Sequence, residues 1–184
     1  QPYWISYKKY QYSEAALRAS QAIGPEEALQ IPTELESYLF EKANEWSGSA
    51  NTDYDKLVTL QNYLFDNFEF NESFPNTPSS YDPIRYFLSI TKVGVGSHFN
   101  TAFVLLARSL NIPARVVVGY TVKPDVEMQY VLPQQAYMYA EVEFENLGWV
   151  TFDACPIHTT EGKHNITQQQ TACNITGNDP VAIR

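Results

Sequence analysis

KVGVGSHFNTAFVLLARSLNIPARVVVGY, residues 92–120, joins a glycine turn, an apolar helix and a β-branched strand without a spare residue. Phe99, Ala102, Phe103, Val104, Leu105, Leu106, Ala107 and Leu110 leave almost no polar face, which a helix tolerates only when buried on most sides. This is the expected central core helix. Gly94 and Gly96 permit a close-packed entry to it, Asn111 suits a left-handed cap, and Pro113 stops its continuation. Residues 115–120 are β-branched and apolar, the mark of an interior strand that starts straight after the helix.

Outward from this unit, the preceding chain reads as scaffold. Thr33 is expected to cap a helix through about Ser47, with Leu35, Tyr38, Leu39, Ala43 and Trp46 at helical spacing. GSAN breaks it, and Thr52 or Asp53 caps a second helix with the stripe Leu57, Leu60, Leu64, Phe65 and Phe68. NESFPNTPSS is a polar, proline-broken loop. Downstream, TVKPDVEMQ is a turn-rich loop, and residues 130–132, 137–144 and 148–153 read as antiparallel strands, with Asn146, Leu147 and Gly148 as the last hairpin. Glu141 and Glu143 alternate with Val142 and Phe144, so these carboxylates mark a solvated face and not an acid–base pair.

Gly-x-Gly-Ser-His-Phe, the buried helix and Ile-Pro-Ala-Arg-Val-Val-Val-Gly-Tyr resemble the core of the transglutaminase-like superfamily. AYMYAEVEFENLGWVTFDACP is similar to that family's His-Ala-Trp-x-Glu-Val, Gly-Trp and Asp-Pro-Thr pattern, and DPIRYFLSITKVGVG resembles the stretch before its nucleophile. The resemblance runs from about residue 31 to 156. It implies an α+β, papain-like fold: N-terminal helices and a buried central helix packed on an antiparallel sheet. It also implies a Cys-His-Asp triad, in which a thiolate attacks an acyl carbon, an imidazole activates it and a carboxylate orients the imidazole.

The same correspondence removes most of that chemistry. Gly96 stands where the family's cysteine belongs and Tyr137 where its histidine belongs, leaving Asp153 alone of the three. Met138 and Tyr139 replace the usual alanine and tryptophan. A glycine has no atom with which to form a covalent intermediate, and a phenol with a reference pKa of about 10 is a weak base at neutral pH. Tyr137 is expected to fill the cleft and hydrogen-bond Asp153. Ser97 and His98 are the alternative nucleophile and base. Against them, one residue turns a helix by roughly 100 degrees, so Ser97 should face away from the slot and act as an N-cap.

Three functional classes follow. One is a pseudoenzyme, a structural or binding module of an extracellular or cell-surface protein that meets other domains or subunits of that protein. The second is a hydrolase or acyltransferase with its nucleophile moved to Ser97. The third is a peptide- or carbohydrate-binding cleft lined by Tyr130, Tyr137 and Tyr139 beside Asp153.

Composition narrows the partners. Twelve basic against twenty-one acidic residues give a net charge of −9, with no Lys/Arg cluster, which argues against nucleic acid. No run approaches the ~18 apolar residues of a membrane span. No cofactor is expected. Starting at Gln1 without methionine, the chain reads as a processed or excised piece. Residues 1–30 form an arm rich in aromatics (Tyr3, Trp4, Tyr7, Tyr10, Tyr12) with a helical stretch from Ser13 to about Ala22; residues 31–156 form the core domain.

The polar tail, residues 157–184, is expected to be tethered through a disulfide between Cys155 and Cys173, the only two cysteines. A zinc site of Cys155, His158, His164 and Cys173 competes with it, though its spacing matches no standard finger, and two thiols in a reducing cytosol are the third reading. Sequons at Asn71, Asn165 and Asn174, together with the cysteine pair, point to a secreted or surface chain with glycosylated loops. Asp53 and Asp55, near a helix start, suit capping more than calcium.

Overall fold

The structure is a computed structural model describing residues 12–122, 130–156 and 179–181. Helix α1 (Glu14–Ala19) is capped by Ser13, whose hydroxyl accepts from the Ala16 amide. It ends earlier than expected, because Ala22 already belongs to strand β1 (Ala22–Ile23). Two 3-10 turns, Glu26–Leu29 and Thr33–Leu35, then lead into α2 (Glu36–Ser47). Thr33 therefore opens the second turn and does not cap α2, whose N-cap is Leu35. Helix α3 (Asp53–Asn67) is capped by Thr52 through the Asp55 amide. It presents Leu57, Leu60 and Leu64 inward as its period requires.

Strand β2 (Glu69–Phe70) pairs in parallel with β3 (Val93–Gly94). Between them lie α4 (Pro83–Tyr86), capped by Asp82, and a turn of π-helix, Phe87–Thr91, that ends on Lys92 at φ 53°. Helix α5 (Gly96–Ser109) follows at once. Phe99, Ala102, Phe103, Leu106 and Ala107 are fully buried, as the unbroken apolar run demands. Asn111, at φ 62°, is the left-handed stop.

Strand β4 (Ala114–Val122) runs antiparallel to β5 (Ala136–Phe144), with Val118 opposite Met138 and Arg115 opposite Glu141. Strand β6 (Gly148–Phe152) returns along β5 through a turn in which Asn146 takes φ 62°. Strand β7 (Asp179–Val181) joins the far end of β4, and β1 joins β5 at Glu143 and Phe144. Among the described residues β5 is the hub of the sheet.

Two strand expectations change. Residues 130–132 form no strand, since Pro133, which lacks an amide donor, starts a 3-10 turn there. β4 is also less interior than its composition implies, with Val118 62% exposed. Alternation on β5 holds: Ala140, Val142 and Phe144 are buried while Glu141 and Glu143 lie on the other face, partly buried, the Glu141 side chain only 14% exposed.

α5 packs on β5 and β4 with one side and on α2 and α3 with the other. The core around it is aromatic, with Phe87 and Phe99 edge to face at 5.1 Å and Phe103 stacked on Phe152 at 5.6 Å. On the opposite face of the sheet, Arg115 donates from Nε and Nη2 to Glu141 and lies 3.4 Å from the centre of the Trp149 ring. The fold thus sets the α5 N-terminus against the first residues of β5.

Candidate functional site

Where α5 begins, the chain passes from β3 into the helix through Val95, its N-cap. The Val95 amide donates to His98 Nδ1 at 3.3 Å. This contact presses the imidazole over the backbone, where a Cβ on Gly94 would fall 3.0 Å from His98 Cβ and Cγ, so residue 94 has to be glycine or the ring has to move. The ring lies between Phe74 (4.6 Å) and Phe87 (5.5 Å), and burial pushes its pKa below the ordinary value. His98 is therefore a packing residue held neutral.

Gly96 is a different case. A Cβ built there meets only the Cys155 sulfur, at 3.9 Å, an ordinary van der Waals distance. Packing does not require the missing side chain. Its absence widens a groove of about 430 Å³. One wall is the helix entry, Val95, Gly96 and Ser97; the other is the sheet, Val118, Ala136, Tyr137 and Met138. Phe70 and Glu72 close one side, and Cys155 also lines the space.

Ser97, an exposed residue, is among those that line the groove, and the expectation that it caps the helix is corrected. The helix starts at Gly96, so Ser97 lies in its first turn and not at its cap. Ser97 is nonetheless given no base by the described residues: His98 points to Phe74 and Phe87, and no imidazole lines the groove among them.

Tyr137 meets the expected partner but lines a groove of about 430 Å³ instead of filling it. Its hydroxyl donates to Asp153 Oδ2 in a short hydrogen bond. The remaining oxygen, Oδ1, accepts from the Cys155 amide at 3.0 Å and from Asn100 Nδ2 at 3.2 Å. Asp153 is thus held from three sides, behind the tyrosine.

Two organising residues escaped the sequence reading. Asn100 is fully buried, four residues after Gly96 and so one turn beneath it. Its Nδ2 has the Gly96 and Met138 carbonyls within reach (3.2 and 2.9 Å) besides Asp153, and its Oδ1 accepts from the Ala154 amide at 3.0 Å. It ties helix, sheet and Asp153 strand together. Gln61, also fully buried, donates from α3 to the Asp153 carbonyl at 2.7 Å. The available signal was an amide next to the apolar stripe: Asn100 between Phe99 and Ala102, and Gln61, followed by Asn62, between Leu60 and Leu64.

Of the remaining predicted residues, Cys155 alone lines the groove among the described residues. Tyr130 is 90% exposed and does not line it, while Tyr139 is buried at 3%. Cys155 is buried; Cys173, His158, His164, Asn165 and Asn174 lie outside the described residues. Asn71 is exposed, its Oδ1 accepting from the Ser73 amide. Asp53 accepts from the Ala22 amide and Asp55 from Arg18, while the cap of α3 is Thr52, so neither aspartate plays the capping role expected of it. Among the described residues no three acidic, histidine or cysteine side chains converge as a metal site would require.

A nucleophile position at the N-terminus of a buried helix, facing a strand and an aspartate, defines the cysteine-protease-like class of α+β domains. The chain belongs to the transglutaminase-like superfamily, whose model matches residues 41–154. It is 32% identical over 136 residues to the uncharacterized protein YebA of Bacillus subtilis strain 168, a match that spans 68% of this chain but only 18% of YebA. The periplasmic domain of TgpA from Pseudomonas aeruginosa, solved bound to ethylmercury, superposes with a TM-score of 0.59 at 25% identity, over 69% of this chain and 46% of that one. A second structure of that domain gives 0.60 at 23% identity, over 77% and 50%. The chain therefore spans half or less of the relatives it matches. No helix among the described residues is long and apolar enough to cross a membrane.

Proposed function

We propose that this domain is a non-catalytic member of its superfamily, a binding module within a larger extracellular or cell-surface protein. The observation that carries the reading is the Tyr137–Asp153 hydrogen bond facing a glycine at position 96. The aspartate orients a phenol where the superfamily's mechanism needs an imidazole, and there is no thiol on the helix to activate. A groove of about 430 Å³ nevertheless persists, within the usual ~300–1,000 Å³ of ligand sites. A domain kept only as a spacer would have no use for it. Placement outside the cytoplasm is supported by the likeness to a periplasmic domain, and on this reading the exposed Asn71 sequon is open to glycosylation.

Ser97 lining the groove is the observation that favours the competing hydrolase reading. A fluorophosphonate probe separates the two. The binding-module reading expects no covalent adduct on Ser97 and no turnover of peptide, ester or amine-transfer substrates. An adduct abolished by Ser97→Ala would sink it.

A further inference from the structure

Residues 71–82 join β2 to α4 as a strap beside the groove, and of residues 71–81 only Phe74 and Thr77 are not exposed. Once the Asn71 amide has donated to the Gly94 carbonyl at 3.0 Å, the strap's hydrogen bonds turn back on itself: the Ser73 amide donates to Asn71 Oδ1 and the Tyr81 amide to the Pro78 carbonyl. Tyr81 meets Tyr86 at the far end, so the middle of the strap is held, among the described contacts, by Phe74 against the His98 ring at 4.6 Å. Glu72, two residues before Phe74, lines the groove, so that part of the wall moves with the anchor.

The anchor is sensitive to a proton for a geometric reason. His98 Nδ1 accepts from the Val95 amide at 3.3 Å, so it is the bare nitrogen of a neutral ring. A proton added there sets two donors face to face, in a ring packed between Phe74 and Phe87. No carboxylate compensates the charge. On the elements packed against the ring, Glu69 accepts from Asn71 Nδ2, Asp82 from the Arg85 amide, the Arg85 guanidinium lies over Tyr38, the Lys92 ammonium over Phe68, and Glu72 lines the groove. Helix α5 itself carries no charged residue before Arg108. Deepening the binding-module reading, on which its use rests, we infer that residues 71–82 are an acid-released strap: a proton on His98 breaks its bond with the Val95 amide, turns the ring out from between Phe74 and Phe87, and frees the side of the groove that Glu72 lines. The closed strap resists a proton that the open one accepts at the ordinary histidine value. Closure is therefore complete above pH ~6.5 and weakens as pH falls, by up to about tenfold per unit.

Spin labels on cysteines introduced at Asn76, on the strap, and at Glu41, exposed on α2, read the strap's position by double electron–electron resonance, in a background carrying Cys155→Ser and Cys173→Ser. One distance is expected at pH 7.5, and at pH 5 a second, longer population about tenfold more abundant than before. His98→Gln, whose side-chain oxygen can still accept from Val95 but which takes no proton, should keep one distance at both pH values. Phe74→Ala, at a half-buried position, should show the longer population at both. Distances unchanged from pH 7.5 to 4.5, or changing equally in His98→Gln, or changing only as helical circular dichroism is lost, overturn the inference. So does a strap that stays closed in Phe74→Ala. None of these results touches the absence of turnover, whereas an adduct on Ser97 would sink the binding-module reading and leave the strap's response to acid standing.

Discussion

The Cys155 sulfur lies 3.9 Å from the point where a side chain on Gly96 would begin, and among the described residues, the adjoining chain and helix backbone aside, nothing else comes within 4 Å of that point. A sulfur thus remains beside the helix N-terminus, although it is carried by the segment after β6 and not by α5. Position 96 is open to substitution in a way that position 94 is not. Gly96→Ala should be tolerated and raise stability by up to about 0.5–1 kcal/mol, the usual gain from replacing a helical glycine. Gly94→Ala should cost about 1–3 kcal/mol, because its Cβ would press on the His98 ring at 3.0 Å. Urea denaturation of both variants checks the opposite signs; equal losses would contradict the distinction.

Asn100 should be the most sensitive polar residue of the site. Asn100→Ala removes a partner from the Ala154 amide and from the Gly96 and Met138 carbonyls in a fully buried setting. Each orphaned buried group costs about 1–3 kcal/mol, so a loss of at least ~2 kcal/mol is expected, seen as a lower urea midpoint with unchanged slope. A loss below about 0.5 kcal/mol would mean that the network does not hold the site together.

What the sequence made legible follows from what its patterns encode. An apolar run with a left-handed stop at Asn111 is a backbone and burial signal, and α5 followed it closely. The Tyr137–Asp153 pairing was legible because the family pattern fixes both positions on facing elements. Ser97 was read as the cap because Val95, the residue that occupies the N-cap, carries no capping signature. Tyr130 was read into the cleft by residue type alone, although nothing in its neighbourhood holds it there. Asn100 and Gln61 were passed over because periodicity counts apolar positions, whereas these two act by carrying amide groups into them.

His98 gives the fold a pH dependence of defined sign. Burial lowers its folded pKa below the unfolded reference of about 6.5. Below that reference the unfolded chain binds a proton that the folded one resists, so stability is full above pH ~6.5 and declines as pH falls from there towards the folded pKa. Melting temperature should drop between pH 7 and 5. His98→Gln should lower it at pH 7, through lost packing on Phe74 and Phe87, while flattening that slope. An unchanged slope would assign the pH dependence to other groups.

We propose that a disulfide forms between Cys155 and Cys173 under oxidising conditions. It would close a loop of 18 residues' separation and add about 3 kcal/mol in the loop-entropy model. Peptide mapping of protein prepared without reductant should find the two cysteines in one linked pair, and reductant should lower the melting temperature. Recovery of both as alkylated thiols after unfolding would remove the disulfide. Zinc released stoichiometrically by denaturation would replace it with the metal site of Cys155, His158, His164 and Cys173.

The last prediction tests whether the site keeps the geometry of an enzyme after losing its groups. In a background carrying both Cys155→Ser and Cys173→Ser, Gly96→Cys places the one thiol at the first turn of α5, where the superfamily's nucleophile belongs, and steric room for it exists. With Tyr137 in place that thiol has a phenol–carboxylate pair for a neighbour and should alkylate with iodoacetamide at pH 7 much as an ordinary cysteine does. Adding Tyr137→His sets an imidazole between the thiol and Asp153, the arrangement that lowers a thiol pKa and raises its thiolate fraction. Alkylation should then accelerate by roughly tenfold, with the gain lost on Asp153→Asn. Equal rates in the single and double variants would mean that Tyr137 does not stand where an imidazole could reach position 96, and the correspondence on which the pseudoenzyme reading rests would fail.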